Sequence, residues 1–243
     1  MARTSRPAAT PAPARSISCV GLVLAGGSAR GAYEVGVIRH VLEDVARTLG
    51  RPVPLDVICG TSAGSINACM LAAHADKPSE RGELLAHQWT SLELEDVVRP
   101  APGEILHVVA RALGRKGKPE ERRRGGVLDP SRIETIVRDS APLEAIGGHI
   151  RAGRLRAISI STTHVASGKT VIWVQRDAPG VPSWGNDPTM VARACEIRAE
   201  HVLASAAVPL LFPAVEIDGQ FYCDGGLRQN VPLSPARRLG ADG

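Results

Sequence analysis

Aromatic residues are scarce in this chain: two Phe, two Tyr and three Trp among 243 residues. They are too few and too scattered for a base-stacking platform, which argues against single-stranded nucleic acid as a partner. No apolar run reaches the roughly 18 residues that a membrane helix needs, so no spanning segment is expected. The five cysteines, Cys19, Cys59, Cys69, Cys195 and Cys223, form no C-x-x-C pair. That excludes the common zinc spacings, and the odd count reads as free thiols in a reducing compartment. The first nineteen residues lack the apolar core of a secretory signal. The expectation is a cytoplasmic protein, at most peripheral to a membrane.

What is present is ordinary globular composition, 44% hydrophobic and 22% charged, with a formal net charge of +4. The length suits one sizeable domain. The positive charge is concentrated in two places. Arg3, Arg6 and Arg15 stand in an Ala/Pro/Arg-rich start with no acid. Arg111, Arg115, Lys116, Lys118, Arg122, Arg123 and Arg124 face only Glu120 and Glu121. The remaining body is mildly acidic, unlike a protein with one basic nucleic-acid face. Residues 1–19 are expected to form a disordered tail, because such a composition buries too little apolar surface to offset its ordering entropy. The polar, breaker-rich run 114–126 is expected to be a flexible loop. Its bases are a candidate contact for an anionic membrane, with a plain solvated loop as the alternative.

Between these segments the pattern is strand, helix, strand, helix. Val20–Ala25 is a short apolar run closed by Gly26-Gly27. Val35, Ile38, Val41, Leu42, Val45 and Leu49 follow at helical spacing, with Gly50 as a stop. Leu55–Cys59 is a second buried strand, and Ala63 to about Ala75 is a helix apolar nearly all round. This order predicts a three-layer α/β/α fold with a mostly parallel central sheet. Residues 80–98 and 103–114 show helical periodicity, and Asp129-Pro130 opens another helix. The last third returns to strands: Leu155–Thr163, Thr170–Gln175, and a hairpin of Val215–Ile217 and Gln220–Tyr222 around Asp218-Gly219.

Three loops carry candidate chemistry. Gly60-Thr61-Ser62-Ala63-Gly64 is a G-x-S-x-G between a predicted strand and a predicted helix, where a sharp turn lifts a serine hydroxyl clear of the backbone. A glycine-rich turn with an idle serine is the simpler alternative. Gly26-Gly27-Ser28-Ala29-Arg30-Gly31 joins the first strand to the first helix and can aim several N–H groups at one point. It fits neither phosphate-binding glycine pattern, because no G-K-[ST] closes it and Ser28 stands where G-x-G-x-x-G needs glycine. A tight turn is the local alternative. Asp224, before Gly225 and Gly226, is placed on an open turn at a strand end. On local sequence alone an Asp that caps this turn is the simpler account. The seven histidines, His40, His74, His87, His107, His149, His164 and His201, stand in no signature.

Taken together and in this order, these segments resemble the patatin-like phospholipases. The resemblance runs from about Val20 to the C-terminus and includes Ala204-Ser205-Ala206-Ala207-Val208-Pro209-Leu210-Leu211-Phe212-Pro213 ahead of the Asp224 turn. It implies a serine acyl hydrolase with Ser62 as nucleophile and Asp224 as base, and no histidine. The fatty-acyl esters of phospholipids or lysophospholipids would be its substrates, cleaved through an acyl-enzyme. It places the oxyanion hole at Gly26, Gly27 and Ser28, with Arg30 holding that loop. Gly60, Thr61, Ala63 and Gly64 form the nucleophile turn, and Gly225 and Gly226 the base turn. No metal or organic cofactor is implied. Two departures stand out. Ser28 occupies a position more often glycine, and the chain is expected to stop inside its domain, since Asn230–Pro235 and Gly240-Ala241-Asp242 normally lead into another core strand. A patatin-fold module that binds lipid or a partner without turnover is the rival reading. The sequence does not fix the oligomeric state.

Overall fold

The computed structural model describes residues 18–92 and 128–243, except 183, 185 and 186. Most of the expected tail, residues 93–98 of the 80–98 segment, the 103–114 helix and the 114–126 loop lie outside the described residues. Ser18 and Cys19, read as the end of the tail, are bound into the fold. The Ser18 hydroxyl donates to Asp242 at 2.6 Å and the Cys19 N–H donates to the same carboxylate at 2.9 Å.

Among the described residues the sheet has seven strands: β1 (Gly21–Leu24), β2 (Val57–Thr61), β3 (Ala157–His164), β4 (Thr170–Arg176), β5 (Met190–Ala194), β6 (Val215–Ile217) and β7 (Gln220–Asp224). β1, β2 and β3 pair parallel, with β1 at one end of the strand order. β4 is antiparallel to β3, and β5 runs parallel to β4. The β6–β7 hairpin joins β3 through β7, antiparallel. Asp218 and Gly219 both have positive φ, 49° and 74°, the paired left-handed geometry of a tight hairpin turn.

Helices cover both faces. The described ones are α1 (Gly31–His40), α2 (Ala46–Leu49), α3 (Ala63–Ala73), α4 (Arg81–Thr90), α5 (Ser131–Ser140), α6 (Ala145–Arg151), α7 (Ala199–Ala206) and α8 (Leu233–Arg238). α1 runs into α2 through one π turn and ends at Gly50, φ 66°. Side chains alternate along a strand, so β2 serves two cores. Ile58 packs with Leu24, Ile158, Ile160, Leu71 and the helices of one face. Val57 and Cys59 pack with Cys19 and Ala236 of α8 on the other. All five β2 residues are buried. α3 lies on β2 and buries nearly its whole surface, as its all-round apolar sequence requires. The opening of α5 follows its sequence signal, with Asp129 Oδ1 accepting from Ser131 N–H at 3.0 Å.

Tyr222 pins the hairpin to the sheet. It is fully buried and meets Trp173 of β4 edge-on at 5.2 Å, while its hydroxyl accepts from Arg193 at 3.1 Å. Among the described residues no helix is long and apolar enough to cross a membrane.

Candidate active site

The site forms where two strands meet along one edge of β3. β4 occupies the other edge from Ala157 to Thr163. On the free edge β2 arrives parallel and ends with Thr61 opposite Ser161. β7 arrives from the opposite direction and ends with Asp224 opposite Thr162. Consecutive β3 residues therefore hold the two strand ends together, although Ser62 and Asp224 are 162 positions apart in sequence.

Ser62 is the hinge between β2 and α3, with φ 54° and ψ −127°. A non-glycine residue in this region costs on the order of 1–3 kcal/mol and needs surroundings that hold it there. Ser62 C=O accepts from Ser65 N–H at 2.8 Å and from Ser65 Oγ–H at 2.6 Å. Ser62 N–H donates to Ser205 Oγ at 2.9 Å. The flanking glycines are steric necessities. A Cβ on Gly60 would lie 2.6 Å from Ser65 Cα, and one on Gly64 would lie 2.5 Å from the Leu24 carbonyl oxygen. Thr61 Oγ–H donates to Gln229 C=O at 3.1 Å, and Ala63 opens α3. The positive end of α3 thus lies at Ser62.

The Ser62 hydroxyl donates to Asp224 Oδ2 at 2.6 Å. Asp224 Oδ1 accepts from Gly226 N–H, also at 2.6 Å. The main chain of Asp224 is fixed as well: its N–H donates to Ala207 C=O and its C=O accepts from Thr163 Oγ–H, each at 2.9 Å. Both side chains are buried, Ser62 at 6% and Asp224 at 5% exposure. Burial pushes the Asp224 carboxyl above its ordinary range, and the bonds from Ser62 and Gly226 pull the other way. Gly225 and Gly226 continue as a short 3-10 turn.

The glycine loop lies alongside. A Cβ placed on Gly26 would come within 3.1 Å of Ser62 Cβ. Its N–H groups are not equivalent. Gly26 N–H donates to Asn230 C=O at 3.0 Å, so it is already committed. Gly27 and Ser28 N–H have no hydrogen-bond partner among the described residues. Ser28 has φ 48°, which explains why glycine suits that position. Arg30 N–H closes the turn onto Gly27 C=O at 3.0 Å, and its exposed side chain lies back over Gly27, where an added Cβ would meet Arg30 Nε at 3.7 Å. Glu34 secures the loop from behind, its Oε1 accepting Ala25 N–H at 2.8 Å.

Among the described residues no histidine bonds to Ser62 or Asp224. His201 is enclosed on α7, 4.6 Å from the Trp173 ring, and burial depresses its pKa to about 4. Among the described residues no group of three or more His, Cys, Asp or Glu is arranged to hold a metal. A cavity of about 490 Å³, lined by Arg138, Glu144, Arg151, Gln175, Glu196 and Arg198 among others, contains neither member of the pair. The residues that sequence reasoning missed are Ser205, Gln229, Asn230 and Glu34. The first and third lie inside stretches that carry the family resemblance, but nothing in sequence assigns them a hydrogen-bonding partner.

A polarised hydroxyl against a buried carboxylate, with two free amides nearby, is equipped for nucleophilic attack on an ester. The chain is similar in sequence to proteins named as phospholipases and lysophospholipases. A "cGAMP-activated phospholipase" of Pseudomonas aeruginosa is 29% identical over 214 residues, covering 87% of this chain and 53% of its own length. "Lysophospholipase NTE1" of Pyricularia oryzae is 44% identical over 57 residues, 24% of this chain and 3% of that protein. Among solved structures, VipD of Legionella pneumophila aligns with a TM-score of 0.47 at 16% identity, over 88% of this chain and 47% of that one. The chain therefore spans about half, or far less, of the relatives it matches. The profile of the patatin-like phospholipases matches residues 22–237, and the chain belongs to that family.

Proposed function

We propose that this chain is a serine acyl hydrolase that cleaves the fatty-acyl esters of phospholipids or lysophospholipids, with Ser62 as nucleophile and Asp224 as base. The 2.6 Å bond from Ser62 Oγ to Asp224 Oδ2 carries this reading. A carboxylate is a weak base at its usual pKa, but burial raises that of Asp224 and the bond points the transferable proton at it.

In the first step Ser62 Oγ attacks the ester carbonyl carbon while its proton passes to Asp224. The oxyanion is received by the free N–H groups of Gly27 and Ser28, beside the positive end of α3. The carbon–oxygen ester bond breaks, and Asp224 returns the proton to the departing alcohol. In the second step water attacks the acyl-Ser62 carbonyl, giving its proton to Asp224. Collapse releases the fatty acid, and Ser62 recovers its proton. The Gly26 amide, committed to Asn230, takes no part.

An apolar substrate suits the surroundings. Leu227 and Val231 follow Asp224 in the same segment and are 58% and 54% exposed. Leu210 and Leu211 follow Ala207, which holds the Asp224 N–H, and both are exposed. Such side chains suit a site that takes acyl chains from a bilayer or micelle. Contact with an anionic membrane through residues 114–126 belongs to the same proposal and rests on their charge alone.

A serine-directed fluorophosphonate is the test. It should label the wild-type chain and leave Ser62→Ala unlabelled, and the wild type should release fatty acid from phosphatidylcholine micelles through repeated turnovers. Equal labelling of Ser62→Ala refutes the nucleophile. Labelling without any turnover favours the non-catalytic lipid-binding reading.

A further inference from the structure

The β2–β3 ladder stops at the pair Thr61–Ser161. In a parallel pair that continued, the next donor on β2 would be Ser62 N–H and a nearby acceptor Ser161 C=O. Ser62 instead turns away at φ 54° to form the nucleophile turn. That would leave a donor and an acceptor unpaired in the interior, which buried backbone groups rarely are. The hydroxyl of Ser205 stands between them. It accepts Ser62 N–H at 2.9 Å and donates to Ser161 C=O at 2.7 Å. Ser205 is fully buried on α7, and this one side chain repairs the break that the turn creates.

We infer that Ser205 is a positioning residue for the nucleophile: its hydroxyl, spliced between Ser62 N–H and Ser161 C=O, fixes the rotation of the Ser62 peptide that aims Oγ at Asp224. The inference rests on the Ser62–Asp224 reading above. The hydroxyl acts in both directions at once, and a thiol, a weak donor and weak acceptor at longer distances, cannot replace it. Without it Ser62 N–H is free to close directly on Ser161 C=O, which pulls the turn toward the sheet and Oγ off the carboxylate. The ester-binding surface is untouched by that movement, so the loss belongs in kcat and not in KM.

The test compares Ser205→Ala, Ser205→Cys and Ser205→Thr in the full chain. Cys and Thr both add volume, but only Thr keeps a hydroxyl. Readouts are kcat and KM on a short-chain p-nitrophenyl ester, the fluorophosphonate labelling rate, and Tm. Ser205→Ala and Ser205→Cys should each lose about 100-fold in kcat and labelling rate, the size of effect expected from about 1 Å of misplacement, with KM nearly unchanged. Ser205→Thr should recover most of that loss, even where its Tm is lower than that of Ser205→Cys. A folded Ala or Cys variant with wild-type kcat overturns the inference, as does a ranking in which activity follows Tm and ignores the hydroxyl. If Ser205→Ala does not fold, the Thr and Cys pair decides alone: Cys equal to or above Thr overturns it. Wild-type protein that the fluorophosphonate does not label would sink the Ser62–Asp224 reading instead. Labelled wild type, blank Ser62→Ala and fully active Ser205→Ala would sink only the role of Ser205.

Discussion

Asp224 is held in an environment that suits its neutral form better than its charged one, whereas the role of base proposed for it needs the charged one. Its folded pKa is raised mainly by burial. The stability it contributes is therefore complete below the unfolded carboxyl pKa and is lost as pH rises through the folded value. At neutral pH the ionised side chain is a burden on the fold. Asp224→Asn is thus expected to lose about 10²–10⁴ in kcat as a lost general base. Its Tm at pH 7 should rise, which thermal unfolding beside steady-state kinetics will check. With Asp224 as the proposed base, the acid limb of the kcat/KM profile should have its midpoint above that of an ordinary aspartate. His201 behaves in the opposite sense. Its pKa falls to about 4 through burial, with Arg198 adding to the shift and Glu200 and Asp218 opposing it. Its Nδ1 accepts Arg198 N–H at 3.0 Å, so the neutral ring is the bound form. The stability it contributes is present above the unfolded histidine pKa near 6.5 and drains away as pH falls toward 4. His201→Gln should flatten the dependence of Tm on pH across that window. Sequence places His201 near a helix start, and it lies in the first turn of α7, but its burial was not legible there, since like the other six histidines it stands in no signature.

The N-terminal elements were readable because their physics is local. β1 and β2 are apolar runs stopped by glycine, and α3 is apolar all round because it is buried all round. β5 and α8 gave no such signal. β5 reads Met-Val-Ala-Arg-Ala and is mostly exposed, so no burial pattern marks it; only its pairing with β4 makes it a strand. α8 is six residues with Pro235 and two arginines, and its burial is confined to Pro235 and Ala236. The β6–β7 hairpin announced itself through Asp218-Gly219, but its docking beside Thr162 did not. That docking, fixed by Tyr222 against Trp173, is what carries Asp224 to Ser62. At the crossing of β1 and α3 there is no slack. Gly64→Ala places a methyl against the Leu24 carbonyl and should destabilise the chain by about 1–3 kcal/mol. Denaturant melts of Gly64→Ala and the exposed control Gly36→Ala, which has open space, will separate this clash from a general loss of glycine.

At the scale of the whole molecule, the family and the four landmark segments could be read from sequence, and the distribution of surface could not. Leu210, Leu211, Leu227, Val231 and Leu233 are all exposed, and they lie in the two stretches bracketing the β6–β7 hairpin. If these side chains enter a lipid surface, each contributes roughly 1.5–3 kcal/mol when fully buried there. Leu210→Glu is therefore expected to lower hydrolysis of phospholipid vesicles by about tenfold or more. Its rate on a water-soluble ester should stay at the wild-type level; equal loss on both substrates would assign Leu210 to the fold instead. The segment from Asp224 to Asn230 has a wider consequence. Its carboxylate receives the Ser62 hydroxyl, its Gln229 carbonyl holds Thr61, and its Asn230 carbonyl holds Gly26. A single protease nick within it, or any binder that peeled it away, should extinguish the proposed activity in one stroke instead of dimming it by degrees.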